Sequence, residues 1–142
     1  MFRTILVAVD DTASSHRAVH IATDLAQRYH ARLCLLHAFP HISEHLGSPT
    51  YDRIVQEYVL DGQHLLETIR TEIVEEVGDV SEVDTQLIEG APASAILDVA
   101  EVEHADLIVM GTRSHHQFMH LLMGSVSTDV TRKAHCPVMV VH

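Results

Sequence analysis

Four short runs of almost unbroken apolar, branch-rich residues constrain this chain more than any other feature. They are Thr4 to Asp10 (TILVAVD), Arg32 to Phe39 (RLCLLHAF), Ala105 to Gly111 (ADLIVMG) and Pro137 to Val141 (PVMVV). A strand solvated on one side alternates apolar and polar residues, whereas a strand covered on both faces does not. Runs of this kind therefore read as strands of a parallel sheet sandwiched between helices. A fifth segment, Val83 to Glu89 (VDTQLIE), alternates more and fits a place nearer an edge.

Helical periodicity fills the gaps between them. Ala18, Ile21, Ala22, Leu25 and Ala26 recur on one face, with Ser14 or Ser15 available as N-cap. From Tyr51 to Val77, a stripe of Ile54, Val55, Tyr58, Val59, Leu65, Leu66, Ile69 and Ile73 predicts a long second helix, which Gly62 is expected to soften. Ala93 to Glu103, entered through Gly90-Ala91-Pro92, gives a third helix, and Ser125 to Ala134 a fourth. Strand and helix alternate throughout. The expectation is an α/β fold, a single-domain open five-stranded parallel sheet with helices on both faces and right-handed crossovers, spanning residues 1–142. At 142 residues and 46% apolar, the chain can bury such a core without disulfides or metal.

A formal charge of −11 argues against nucleic acid or an anionic membrane as partner, because both select for excess Lys and Arg. No apolar stretch approaches the ~20 residues of a membrane-spanning helix, and the amino terminus opens directly on a strand-like run rather than a secretory signal. Cys34 and Cys136 are far apart and lack CxxC spacing, which predicts neither a disulfide framework nor a cysteine zinc site and fits the cytoplasm. Cys34, inside an apolar run, is expected to be a buried, inert thiol.

Two long connections, Pro40 to Pro49 and Thr112 to Met123, follow strands, and loops at the carboxyl ends of strands are where open α/β sheets bind ligands. The informative stretch is Gly111-Thr-Arg-Ser114, nine residues, then Gly124-Ser125-Val126-Ser127. Gly111 closes a strand and lets backbone approach a ligand. Gly124 and Ser125 open a helix whose free N–H groups suit a phosphate, although plain capping explains the pair as well. Asp10, at the end of the first strand, reads either as a turn residue or as a partner for a ribose hydroxyl or a phosphate-bridging metal ion. A P-loop and a G-x-G-x-x-G fingerprint are both absent.

Thirteen histidines include His115, His116 and His120 in the long loop, where they read as solvated or phosphate-facing rather than as a metal site, since no H-E-x-x-H arrangement accompanies them. His37 reads as a hydrogen-bonded core or crevice residue. No nucleophile, base and orienter stand together and no G-x-S-x-G elbow is present, so the chain is not read as an enzyme beyond, at most, slow ATP hydrolysis.

The opening ILVAVD, the strand ADLIVMGTRS, the nine-residue gap before GSVS and the closing CPVMVV together resemble universal stress proteins over nearly the whole chain. The resemblance implies an adenine nucleotide alpha hydrolase-like fold and a homodimer paired through Pro137 to Val141. It also implies ATP or another adenine nucleotide as ligand, with Mg2+ as companion ion. Nucleotide-binding members carry G-x2-G-x9-G-[ST], whose amides wrap the phosphates. Carried over, this sets Gly111, Ser114, Gly124, Ser125, Val126 and Ser127 around phosphates and ribose, Asp10 and the backbone of Ala38 nearer ribose and base, and Met110 beside Gly111 in the same site. Two departures stand out. The middle glycine is Ser114, which costs about 1 kcal/mol if its φ is positive but adds a hydroxyl donor. Asp11 stands where the family often has glycine and repels a triphosphate unless it points outward or shares a cation. The implied function is a nucleotide-binding regulatory protein of the stress response, whose Thr112 to Met123 loop is ordered by ATP. The alternative is a dimeric interaction module of the same fold that binds no nucleotide.

Overall fold

The computed structural model describes residues 1–78, 82–112 and 125–142. Five strands, β1 (Thr4–Ala8), β2 (Arg32–Phe39), β3 (Val83–Glu89), β4 (Leu107–Gly111) and β5 (Val138–Val141), alternate with α1 (Ala13–Tyr29), α2 (Thr50–Val77), α3 (Pro92–Val102) and α4 (Ser125–Lys133). The strands form one parallel sheet in the order β3-β2-β1-β4-β5. Ile5, Val7, Leu33, Leu35 and Val109 pack under α1 and α2. Leu6, Cys34, Leu36, Ile108 and Met110 pack under α3 and α4. The three central strands thus bury both faces, which is why their sequences do not alternate.

Several expectations shift in detail. β1 stops at Ala8, so Asp10 lies beyond the strand. Pro137 to Val141, read as covered on both faces, forms an edge strand with Met139 36% exposed; a four-residue apolar run looks the same with one neighbour as with two. The N-cap of α1 is Thr12, whose side chain accepts from the Ser15 N–H, and Ser14 and Ser15 are buried in the first turn. α2 runs unbroken through Gly62, where an added Cβ would stand 2.5 Å from Leu87 Cδ1. The glycine there serves a close approach between helix and sheet. Two histidines end helices: His30 after α1 and His104, shortly after α3, both hold φ of 52°.

At the far end of the sheet from the crevice described below, Arg32 donates to Asp84 at 2.9 Å and to Glu103, which also accepts from Gln86 at 2.8 Å. The network ties the end of α3 to β2 and β3. Arg32 holds the Glu103 carboxyl below the ordinary carboxylate value. A carboxylate with a depressed folded pKa adds stability above its unfolded value near 4.5, and that increment is lost as pH falls through the lower folded value. Glu103→Gln is therefore expected to lower the urea midpoint at pH 7, with the difference from wild type shrinking as pH falls below about 4.5.

Cys34 is fully buried on β2, and desolvation pushes its thiol up to about 11. Half-buried Cys136 is raised less. A chromogenic disulfide reagent at pH 8 is expected to label Cys136 in the native protein and Cys34 only after unfolding, a rate difference of about a hundredfold or more.

Candidate functional site

From β1 the chain winds outward through β2 to β3, then returns across β1 to lay down β4 and β5. Strand order therefore reverses between β1 and β4, whose last rungs pair Ala8 with Met110. Beyond that rung the two chains part, β1 leading into α1 and β4 into the segment before α4. The gap they leave is a cleft with a cavity volume of about 120 Å³, at the place where open α/β sheets bind ligands.

Ala8, Leu36, Met110, Ile96 and Val126 give the cleft apolar walls, and Asp10, Thr12, His37 and Ser127 supply its polar groups. Asp10 is the charged member among the described lining residues. One of its carboxylate oxygens, Oδ1, closes a local turn, accepting from the Thr12 N–H at 2.9 Å and from the Thr12 hydroxyl, while the Asp10 N–H donates to Ser15 Oγ at 2.8 Å. The turn reading of Asp10 thus holds for Oδ1, and the same turn fixes the carboxylate at the rim of the cleft.

Ser14 Oγ donates to the Thr112 carbonyl at 2.6 Å, across 98 residues, and fastens the start of α1 to the first residue past β4. This contact is possible because Gly111 has no side chain. A Cβ there would lie 2.5 Å from Ser14 Oγ and 2.7 Å from both Ser14 C and Ser15 N. Sequence reasoning assigned the bareness of Gly111 to a ligand; in the fold it admits the first turn of α1. Thr112 then continues the sheet, its N–H donating to the Val141 carbonyl at 2.8 Å.

Of the residues singled out from the sequence, Asp10, Ala38, Met110, Gly111, Val126 and Ser127 meet around the one cleft. Ser125 begins α4 and is exposed beside it. Ser114 and Gly124 fall outside the described residues, as do His115, His116 and His120. Sequence reasoning did not single out Thr12, took Ser14 for a cap alone, and missed the contribution of Pro92 and Ile96 from the start of α3. The signal available was the cluster of small hydroxyl residues directly after a buried strand.

The whole chain, residues 1–142, matches the family model described as the universal stress protein family. A curated relative from Thermus aquaticus, the universal stress protein in the QAH/OAS sulfhydrylase 3′ region, is 38% identical over 141 residues, covering 99% of each chain. Among solved structures, a universal stress protein from Archaeoglobus fulgidus in complex with dAMP is 26% identical with a TM-score of 0.73, covering 99% of this chain and 98% of that one. A universal stress protein in complex with cAMP is likewise 26% identical, with a TM-score of 0.72, covering 99% and 97%.

Proposed function

This chain belongs to the universal stress protein family, and from that premise we propose that it binds an adenine nucleotide in the β1/β4 cleft and acts as a regulatory protein of the stress response. The observation that carries the reading is the meeting of Asp10, Ala38, Gly111 and the first turn of α4 around a single cleft at the point where strand order reverses. The apolar walls suit a purine ring. Asp10 suits a ribose hydroxyl, and the opening amides and dipole of α4 suit a phosphate. Neighbours of the same family, solved with dAMP and with cAMP, support adenine as the base.

ATP with Mg2+ is the nucleotide we propose, held by Gly111, Ser114, Gly124, Ser125, Val126 and Ser127 around phosphates and ribose. The divalent ion would screen Asp10 and Asp11 from the polyphosphate. Occupancy would order the Thr112 to Met123 loop and change a surface read by a protein partner in the cytoplasm. We also propose a homodimer through β5. Pro137 and Val141 carbonyls face β4, so the intervening Val138 and Val140 turn their ladder groups outward from the sheet edge.

Isothermal titration of nucleotide-stripped protein with ATP and Mg2+, alongside AMP and cAMP, tests the reading. Dissociation constants in the micromolar range or below, or adenine nucleotide released when the purified protein is denatured, are the expected results. Silence up to millimolar ATP, AMP and cAMP would leave the interaction module that binds no nucleotide. Sedimentation at micromolar concentration reads the dimer.

A further inference from the structure

Alternation along β2 decides which neighbour each backbone group faces. The Leu36 carbonyl accepts from the Val9 N–H at 2.8 Å on the β1 side, and the Phe39 carbonyl accepts from the Gly90 N–H at 2.8 Å on the β3 side. Ala38, two residues past Leu36, therefore turns its N–H and C=O towards β1. In a continuing parallel ladder the Ala38 N–H would donate to the Val9 carbonyl. That carbonyl is taken instead by the His37 imidazole, with Nδ1 at 2.7 Å. A carbonyl only accepts, so Nδ1 carries the proton. Among the described residues no hydrogen bond occupies the Ala38 amide, and Ala38 borders the cleft.

The ring has room for this because Gly62 of α2 lies over it. A Cβ at Gly62 would come within 3.3 Å of His37 Cδ2. His37 is half-buried on the α2 side of the sheet and borders the cleft from there, while the apolar walls Leu36, Ile96, Met110 and Val126 belong to the opposite side.

We infer that His37 is a positioning residue: by occupying the Val9 carbonyl it ends the β1/β2 ladder one rung early and keeps the Ala38 N–H and C=O together as a donor and acceptor for the base. The inference rests on the nucleotide reading above. A purine edge with a ring nitrogen beside an exocyclic amine complements that pair, and the amide can serve it only while Val9 does not.

The test compares wild type, His37→Leu and His37→Asn, whose side-chain amide can reach where Nδ1 stands. In nucleotide-free protein, NMR hydrogen exchange is expected to show the Ala38 amide exchanging at least about tenfold faster than that of Leu36. In His37→Leu the freed Val9 carbonyl captures the amide, so Ala38 exchange slows by about tenfold while the AMP dissociation constant rises by about tenfold. His37→Asn restores both. A wild-type Ala38 amide as protected as Leu36 overturns the inference, and that measurement needs no variant. Loss of AMP affinity in His37→Leu without slower Ala38 exchange also overturns it, marking His37 as merely structural. Failure of the wild type to bind AMP removes the nucleotide reading and the positioning role with it, and is recognised separately because the exchange rates are read without ligand.

Discussion

Gly111→Ala is expected to destabilise the protein by about 1–3 kcal/mol and Gly111→Val by more, in the complete absence of nucleotide. The added Cβ would lie 2.5 Å from Ser14 Oγ and 2.7 Å from Ser14 C and Ser15 N. A hydroxyl can rotate aside, but two backbone atoms of a helix start cannot. Relief must come from moving α1 off β4, which also breaks the 2.6 Å bond from Ser14 to the Thr112 carbonyl. Urea denaturation of ligand-free protein measures the loss as a lowered midpoint at unchanged slope. The outcome that would sink the account is a ligand-free midpoint equal to wild type with nucleotide binding abolished. That pattern would mean the bare position serves the ligand alone.

Ala8→Leu is expected to do the opposite, weakening adenine nucleotide binding by about a hundredfold, or roughly 2.7 kcal/mol, at little or no cost in stability. Ala8 is the last residue of β1 and faces the cleft beside Met110, its partner on β4. The larger side chain would enter open space lined by Leu36, Ile96 and Val126, and exclude the ring proposed to lie there. Filling an apolar hollow adds buried contact, so the thermal midpoint should hold or rise. Titration with ATP and Mg2+ beside a thermal melt reads both quantities. Unchanged affinity would move the nucleotide elsewhere, and a collapsed melt would show the hollow to be smaller than it measures.

These two residues mark the limit of what the sequence disclosed. Strand and helix positions were legible because a sheet covered on both faces leaves unbroken apolar runs, and its covering helices leave stripes at a period of 3.6 residues. The alternating character of Val83 to Glu89 correctly put β3 at an edge. That β5 is the other edge was not legible in its own residues, because three valines and a methionine carry no mark of how many neighbours they have; only the family resemblance pointed to it. The cleft was legible in outline through Asp10, Gly111 and the start of α4. The cause of Gly111 was not, since a missing side chain does not say which neighbour required its absence, and the neighbour is Ser14, far back in the sequence. Nor could any local pattern reveal that His37 takes the carbonyl of Val9, a bond between two strands 28 residues apart. The helix caps went astray by two or three residues because Thr12, Ser14 and Ser15 all carry a capping hydroxyl, and only the fold shows which is used.

The pairing of β1 with β4 also sets the order in which the molecule can be made. Asp106 receives the Arg3 N–H at 2.8 Å across 103 residues, and Ser14 reaches Thr112 across 98. The β1-α1-β2 unit needs fewer than forty residues of chain, but the seam that bounds the cleft closes only when β4 has been synthesised. Closing so long a loop adds only slowly to the entropy cost, yet contacts of such separation slow folding. A nascent chain can therefore assemble the β2/β1 half early while its second half is still emerging, and the cleft is among the last features to exist.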